Sequence, residues 1–390
     1  MTAPQKWSMS LTGQPAGGRP VTVRADLPEW AYVAALAGLP YMAWDRLAAL
    51  LAGRAPSAAW AHVGRGGAGP ALARSAAAVS VPELVDAHRR AGVVVSLHGG
   101  EGYPAALAGD HEPAPVLFAL GDPAAAAGPR VAVVGTRRCT GYGRDVAAEL
   151  GRDLARAGVA VVSGLALGID GAAHRGALGA GGAPPVAVVG SGLDVVYPRR
   201  HRDLWHQVAA AGLVLSEAPL GGRPEPWRFP ARNRLLAALA HVVVVVETHA
   251  SGGSMHTVRA AEARGVPVLA VPGPVRSPAS AGANRLIAEG CAPACDSTDV
   301  LVALSLQTAG SPPASRPAAG APDHRPPPSA GELPVLDALG WEAATVETLL
   351  QRTGLGPAAV TLALARLEEA GRARRTGGWW ERVGGPGGPR

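Results

Sequence analysis

The sequence predicts a doubly wound, mostly parallel α/β sheet set between a small helical unit and a C-terminal unit of three helices and a hairpin. Three observations predict it. Apolar, mostly β-branched runs begin at Val131, Val159, Val186, Leu213, Val242 and Val268, at intervals of 28, 27, 27, 29 and 26 residues. Such intervals are close to the roughly 30 residues of a βαβ unit, and unbroken apolar runs mark strands buried on both faces. A Gly/Ser-rich turn and then a helical pattern follow the runs, so right-handed crossovers bring the strands' C-terminal ends to one edge, where ligands bind.

Around this core the chain divides in order. Residues 1–26 mix Gly, Pro and polar residues without a period and read as a flexible tail. Helical faces follow, with Tyr32, Leu36 and Leu39, then Leu47, Leu50 and Leu51, then the stretch Pro82–Arg90, giving a helical domain over 27–95. A short strand, Val93–Leu97, and the segment Tyr103–Gly121 lead into the sheet domain, 96–307. Residues 308–331 hold seven prolines in 24 positions and form an extended linker. In the last unit, 332–390, helices are expected at Pro334–Leu339, Val346–Arg352 and Ala358–Ala370, the third opened by Pro357 and closed by Gly371. A hairpin over Arg372–Arg382, turning at Gly377 and Gly378, completes a winged helix.

Composition removes several function classes. With 390 residues and 48% hydrophobic content, 52 Gly and 36 Pro punctuate folded units and do not dilute a disordered chain. The formal charge is +6, and Lys6 is the only lysine. A Schiff-base enzyme and a Walker A loop both require a lysine in the fold and are excluded. Cys139, Cys291 and Cys295 make neither a disulfide framework nor a structural zinc site, so no metal is expected. The longest aliphatic block, Val242–Val246, is far too short for a bilayer, and MTAPQKWSMS lacks a secretory apolar stretch. A cytoplasmic protein with no membrane contact is expected.

Enzyme signatures fare poorly. The glycines after the first run fall at Gly135, Gly141 and Gly143 with Val146 in the third position, and the second run ends in Ser163-Gly164 with no acid for a ribose, so no dinucleotide cofactor is expected. No G-x-S-x-G elbow occurs. Asp170 reads as a helix N-cap, His174 and His256 as packing or surface histidines, and Asp194 and Glu217 as turn builders or arginine partners. Ser251–Thr257, SGGSMHT, opens a helix with two glycines that let backbone amides approach a phosphate. It resembles the PGGxGT turn of nucleoside-monophosphate phosphoribohydrolases, which keeps a hydrolase of nucleotide N-glycosidic bonds as the alternative reading. Val258 and Arg259 stand where that family continues towards its catalytic glutamates.

The arginines suggest a different ligand. Arg137 and Arg138, then Arg199, Arg200 and Arg202, then Arg228, Arg232 and Arg234, then Arg276 follow four of the runs, with Tyr142, Tyr197, Trp227 and Phe229 among them. Glycine turns at Ser163-Gly164, Gly190-Ser191-Gly192 and Gly252-Gly253-Ser254 add backbone donors. Cations interleaved with rings suit a flexible single strand, whose phosphates attract charge and whose bases stack. The segment 130–300 carries 18 arginines against 13 acids, whereas 332–390 has seven of each. The helix Ala358–Ala370 offers Arg366 against Glu368 and Glu369, a poor major-groove reader, so the winged helix is expected to be an accessory or protein-contact module.

Several long motifs, in order, resemble the bacterial DNA-processing protein family DprA, also called Smf. They are VAVVGTRR (Val131–Arg138), SGLALGIDGAAHRGAL (Ser163–Leu178), GSGLDVVYPRRHRDLW (Gly190–Trp205), LSEAPLG (Leu215–Gly221), FPARNRLLAAL (Phe229–Leu239), SGGSMHTVRAAEARG (Ser251–Gly265) and VPGPVRSPASAGANRLIAEG (Val271–Gly290). The resemblance implies a sterile-alpha-motif-like front domain, an extended Rossmann core and a winged-helix tail. It also implies binding of single-stranded DNA, dimerisation through the Rossmann core, and protection of incoming DNA with loading of RecA during natural transformation, without catalysis. It places the strand on Arg137 and on Phe229, Arg232, Asn233 and Arg234, with Ser163, Gly164, Gly190, Ser191 and Gly192 along the same edge. Arg228, Gly253 and Ser254 complete the expected DNA-binding set. Where the family reads SGSLITA, this chain has Gly253, Met255, His256 and Val258, and arginine replaces the lysines that some members use at the groove.

Overall fold

A computed structural model describes residues 21–308, 325–339, 344–376 and 378–383. Most of the expected tail and linker, the chain after 383 and Gly377 of the hairpin turn therefore lie outside the described residues. Five helices come first: α1 (Glu29–Ala37), α2 (Trp44–Leu51), α3 (Pro56–Gly64), α4 (Pro70–Ala77) and α5 (Val81–Arg90). Then follow β1 (Val94–Leu97), α6 (Ala105–Ala108), β2 (Val116–Gly121), β3 (Arg130–Val134), α7 (Gly141–Arg156), β4 (Ala160–Ser163), α8 (Ile169–Ala180) and β5 (Val186–Val189). The core continues through α9 (Arg202–Ala211), β6 (Leu213–Ser216), α10 (Arg228–Leu239), β7 (Val242–Val245), α11 (Met255–Glu262), β8 (Val268–Ala270), α12 (Ala281–Ala288), β9 (Ala292–Pro293) and α13 (Ser297–Gln307). The C-terminal unit is α14 (Leu333–Leu339), α15 (Val346–Thr353), α16 (Pro357–Glu369), β10 (Ala373–Thr376) and β11 (Trp379–Arg382), three helices and a hairpin around Leu349, Val360, Leu364 and Trp380.

The six expected strands are β3 to β8, and they run parallel. The sheet is larger than expected, with nine strands in the order β1-β2-β6-β5-β4-β3-β7-β8-β9. β2 pairs antiparallel with β6 and β1 antiparallel with β2, while β9 extends the other edge in parallel. Alternate residues face opposite layers, as the pleat requires. Ala132, Val134, Val162 and Val188 pack under α10, α11 and α12. On the opposite face Val131, Val133 and Val161 meet α7, α8 and α13, and Ala187, Val189 and Val214 meet α9 and the N-terminal helices.

Two helices of the N-terminal group, α3 and α4, were not expected. Their sequences, PSAAWAHVG and PALARSAA, bury mainly Ala59, Trp60, Val63, Leu72 and Ala76, and so few large apolar side chains leave no readable period. Among the described residues no helix is long and apolar enough to cross a membrane, and no cluster of three or more His, Cys, Asp or Glu could hold a metal.

The strand order reverses between β3 and β7. From β3 the chain builds outwards through β4, β5 and β6, then returns to lay β7 on β3's other side. Loops diverge at this point, and the crevice outside the strand ends is where such sheets hold ligands.

Candidate nucleic-acid interface

A cleft of about 720 Å³ opens at this reversal. Its lining comes from Gly135–Arg138 after β3, Ala166 and Asp170 around the start of α8, Tyr197 after β5, Phe229, Pro230, Arg232 and Asn233 of α10, and Gly252, Gly253, Ser254, His256 and Thr257 around the start of α11. A smaller slot of about 40 Å³ continues from it between Leu167, Gly190, Ser191, Pro198 and Phe229. Both share Arg137, Ala166, Tyr197, Phe229 and Arg232.

The floor holds two buried opposite charges, Arg232 and Asp170, which attract each other without a direct contact. Arg232 is only 6% exposed, and its Nη1 donates to Val188 O and, at 2.8 Å, to Gly164 O. Its guanidinium lies so close over Gly164 that a side chain there would strike it. The remaining charge is balanced by Asp170, whose carboxylate accepts from Gly164 N (3.1 Å) and Ala166 N (3.4 Å). Burial pulls Arg232 down to about 10, opposed by the attraction of Asp170; burial likewise pushes Asp170 up, opposed first by Arg232. Asp170 is thus no N-cap, since Gly168 holds that position and the carboxylate folds back to tie the β4–α8 loop. His174 lies fully buried, with burial pulling it down to about 3, so it stays neutral.

The walls carry exposed charge and rings. Arg137 and Arg138 are exposed, and the Arg137 guanidinium lies 4.9 Å from the Phe229 ring centroid. Phe229 in turn packs against Tyr197, centroids 5.4 Å apart. Across the cleft Asn233 Nδ2 donates to Gly253 O at 3.3 Å, and the Ser254 hydroxyl donates to Thr248 Oγ1 at 2.6 Å, which fixes the turn before α11. His249 and His256 are exposed and line this side.

The structure brings Arg137, Phe229, Arg232, Asn233, Gly253 and Ser254 to the cleft, and Gly164, Gly190 and Ser191 to its slot. Others of the expected set are turned elsewhere. The Ser163 hydroxyl is spent on Val133 O, and Gly192 is packed against Pro219 O. Arg228 stacks on Trp227 and pairs with Glu225 at 3.8 Å, facing a cavity below the N-terminal helices. Arg234 pairs with Glu217, donates to Glu112 O at 2.6 Å and lies 4.5 Å from the Trp44 ring of α2, so it braces the core against the helical group. Helix geometry explains the split: Arg232 and Arg234 are two residues apart and project about 200° from each other. Tyr142 is likewise committed, its hydroxyl donating to Pro272 O at 2.6 Å. Asp194 is the turn builder expected, accepting from Gly221 N at 2.8 Å.

Glu217 makes the brace sensitive to pH. Burial pushes its carboxyl up to about 7, with Arg234 opposing. A carboxyl that holds its proton more tightly when folded lowers stability as pH rises from about 4.5 through 7, because the folded state must then carry a desolvated charge. Urea midpoints should therefore show ~1–3 kcal/mol less stability from this group at pH 8 than at pH 5, and Glu217→Gln should flatten that difference. An unchanged pH profile in the variant would count against the assignment.

The failed dinucleotide fingerprint has a structural cause. At the N-terminus of α7, where a pyrophosphate would sit, the buried Glu247 carboxylate accepts from Thr140 N (2.9 Å) and Thr140 Oγ1 (2.7 Å). The same carboxylate closes over Gly143, leaving no room for even a Cβ. Outside this turn the hairpin of the C-terminal unit packs on α7: Arg374 pairs with Asp145 at 3.0 Å, and Glu381 covers Gly141. Burial pushes Glu381 up, chiefly against the pull of Arg374.

Residues 94–305 match the family model described as DNA recombination-mediator protein A. The chain belongs to this family. Residues 316–378 match the DprA winged helix domain. Over 271 residues the chain is 45% identical to a putative DNA processing protein DprA of Mycobacterium tuberculosis, covering 68% of each. It is 34% identical over 225 residues to the DNA processing protein DprA of Bacillus subtilis, covering 57% of this chain and 75% of that one. The solved structure of DprA from Streptococcus pneumoniae is similar at a TM-score of 0.60 and 31% identity, covering 71% of this chain and 98% of that one. The DprA match thus spans the whole cleft, from the loop after β3 to the turn before α11.

Proposed function

We propose that this chain is a single-stranded DNA-binding recombination mediator, acting in the cytoplasm during natural transformation. The observation that carries the reading is the cleft wall in which exposed Arg137 lies over Phe229, itself packed on Tyr197, above the buried Arg232. Guanidinium groups and turn amides hold phosphates, and the ring pair offers a flat apolar surface to an unpaired base. Membership of the DprA family supports the recombination role, and the family resemblance supports RecA as partner and a homodimer formed through the sheet core. The chain is read as a binder and not a catalyst. Asp170 is the one carboxylate among the described lining residues, and it is bound to two amides beneath Arg232.

Titration of fluorescent oligo-dT tests this. Contact with about five phosphates predicts a log K against log salt slope near −3.5. A flat response overturns the reading. In parallel, nucleoside monophosphates should survive incubation; release of free base would favour the N-glycosidic hydrolase instead.

A further inference from the structure

A second concentration of charge lies beyond the cleft and is not part of its lining. After Tyr197, which is 41% exposed at the lip, the chain forms a one-turn 3₁₀ segment, Arg199–His201, and enters α9 at Arg202. His201 pins this segment: its ring is buried against Gly171 of α8, and its Nδ1 shares a hydrogen bond with Leu165 O at 3.0 Å. Arg175 stands one helical turn beyond Gly171 on the same side of α8. Its charge reaches His201, adding to the burial that lowers the imidazole's proton affinity.

Arg199, Arg200 and Arg202 thus flank His201 along the chain, and Arg175 reaches the same histidine from α8. All four are exposed, and among the described residues none of them makes an ion pair within 4 Å. Asp203 is the carboxylate next to them in sequence, and Asp194, earlier in the same loop, is held by Gly221 N. Like charges held close together oppose folding unless a counter-charge is supplied. Arg264, by contrast, is neutralised by Asp110 and Glu112.

We propose that these four arginines form a second phosphate track, which holds the DNA strand after it leaves the cleft over Tyr197. The proposal rests on the cleft reading above and extends it: the cleft grips a few nucleotides, and the track lengthens the footprint along the backbone. Backbone contacts of this kind add affinity without adding sequence preference.

The test compares the full chain with the variant Arg175→Gln, Arg199→Gln, Arg200→Gln, Arg202→Gln on labelled dT6 and dT20. The expected result is dT6 affinity within twofold of the wild type and dT20 affinity about tenfold or more weaker at low salt, with the dT20 salt slope shallower by about 0.7 per lost contact. Matched thermal melts establish that the variant is folded. Equal binding of dT20 by both proteins overturns the track. So does an equal loss for both oligonucleotides, which would mean that the arginines act by shaping the cleft. Loss confined to duplex DNA overturns it in favour of a duplex-binding patch. A wild type that binds neither oligonucleotide overturns the cleft reading itself, and the track falls with it.

Discussion

Arg232→Ala is expected to lower the stability of the sheet core by about 2–5 kcal/mol, because two buried carbonyls lose a charged donor and the buried Asp170 loses a compensating charge. The guanidinium holds Gly164 O and Val188 O, the ends of two neighbouring strands, and offsets the charge of Asp170. With alanine in its place, Asp170 remains buried against two amides alone, and the β4–α8 loop loses its strut. Denaturant titration gives the number directly. Replacing both residues, Arg232→Met with Asp170→Asn, should recover part of the loss, since it removes the uncompensated charge and leaves only the two carbonyls without their donor. A single variant as stable as the wild type would show that the floor does not depend on this pair. Loss of DNA binding in Arg232→Ala is accordingly expected to be accompanied by loss of structure.

Arg137→Ala should behave in the opposite way. Its guanidinium is exposed and rests on the Phe229 ring, so stability should change by no more than about 0.5 kcal/mol. Strand affinity should fall about tenfold to a hundredfold, the value of one charge-assisted contact of about 1.5–3 kcal/mol. The salt slope should become shallower by about 0.7, and oligo-dT and mixed sequences should suffer alike. An Arg137→Ala protein that binds as the wild type does would remove the cleft's main exposed cation from the mechanism. Together the two variants separate a group that holds the cleft open from one that meets the ligand.

The division between legible and hidden features follows from what each side chain packs against. Strands β3 to β8 are announced by valine-rich runs because both their faces are buried, and right-handed crossovers then fix the edge where Arg137, Phe229 and Gly253 emerge. The added strand β2 is equally apolar, but its antiparallel pairing with β6 joins segments almost a hundred residues apart and leaves no local sign. Within FPARNR the sequence supplies two arginines of equal appearance. Only the helical period of α10 sends Arg232 under the cleft and Arg234 to Trp44 and Glu217. Asp170 carries an ambiguity of the same kind, because an acid in a first helical turn can serve the helix or reach back into the preceding loop.

The carboxylate of Glu247 has a consequence for selectivity in a crowded solution. Dinucleotide coenzymes are abundant small polyphosphates, and the mouth of the first helix is the berth that this architecture usually offers them. Here the protein has moored its own anion there. A polyphosphate at that berth would meet like charge and lack of space, whereas the cleft lined by Gly135–Arg138 of the same loop is left open.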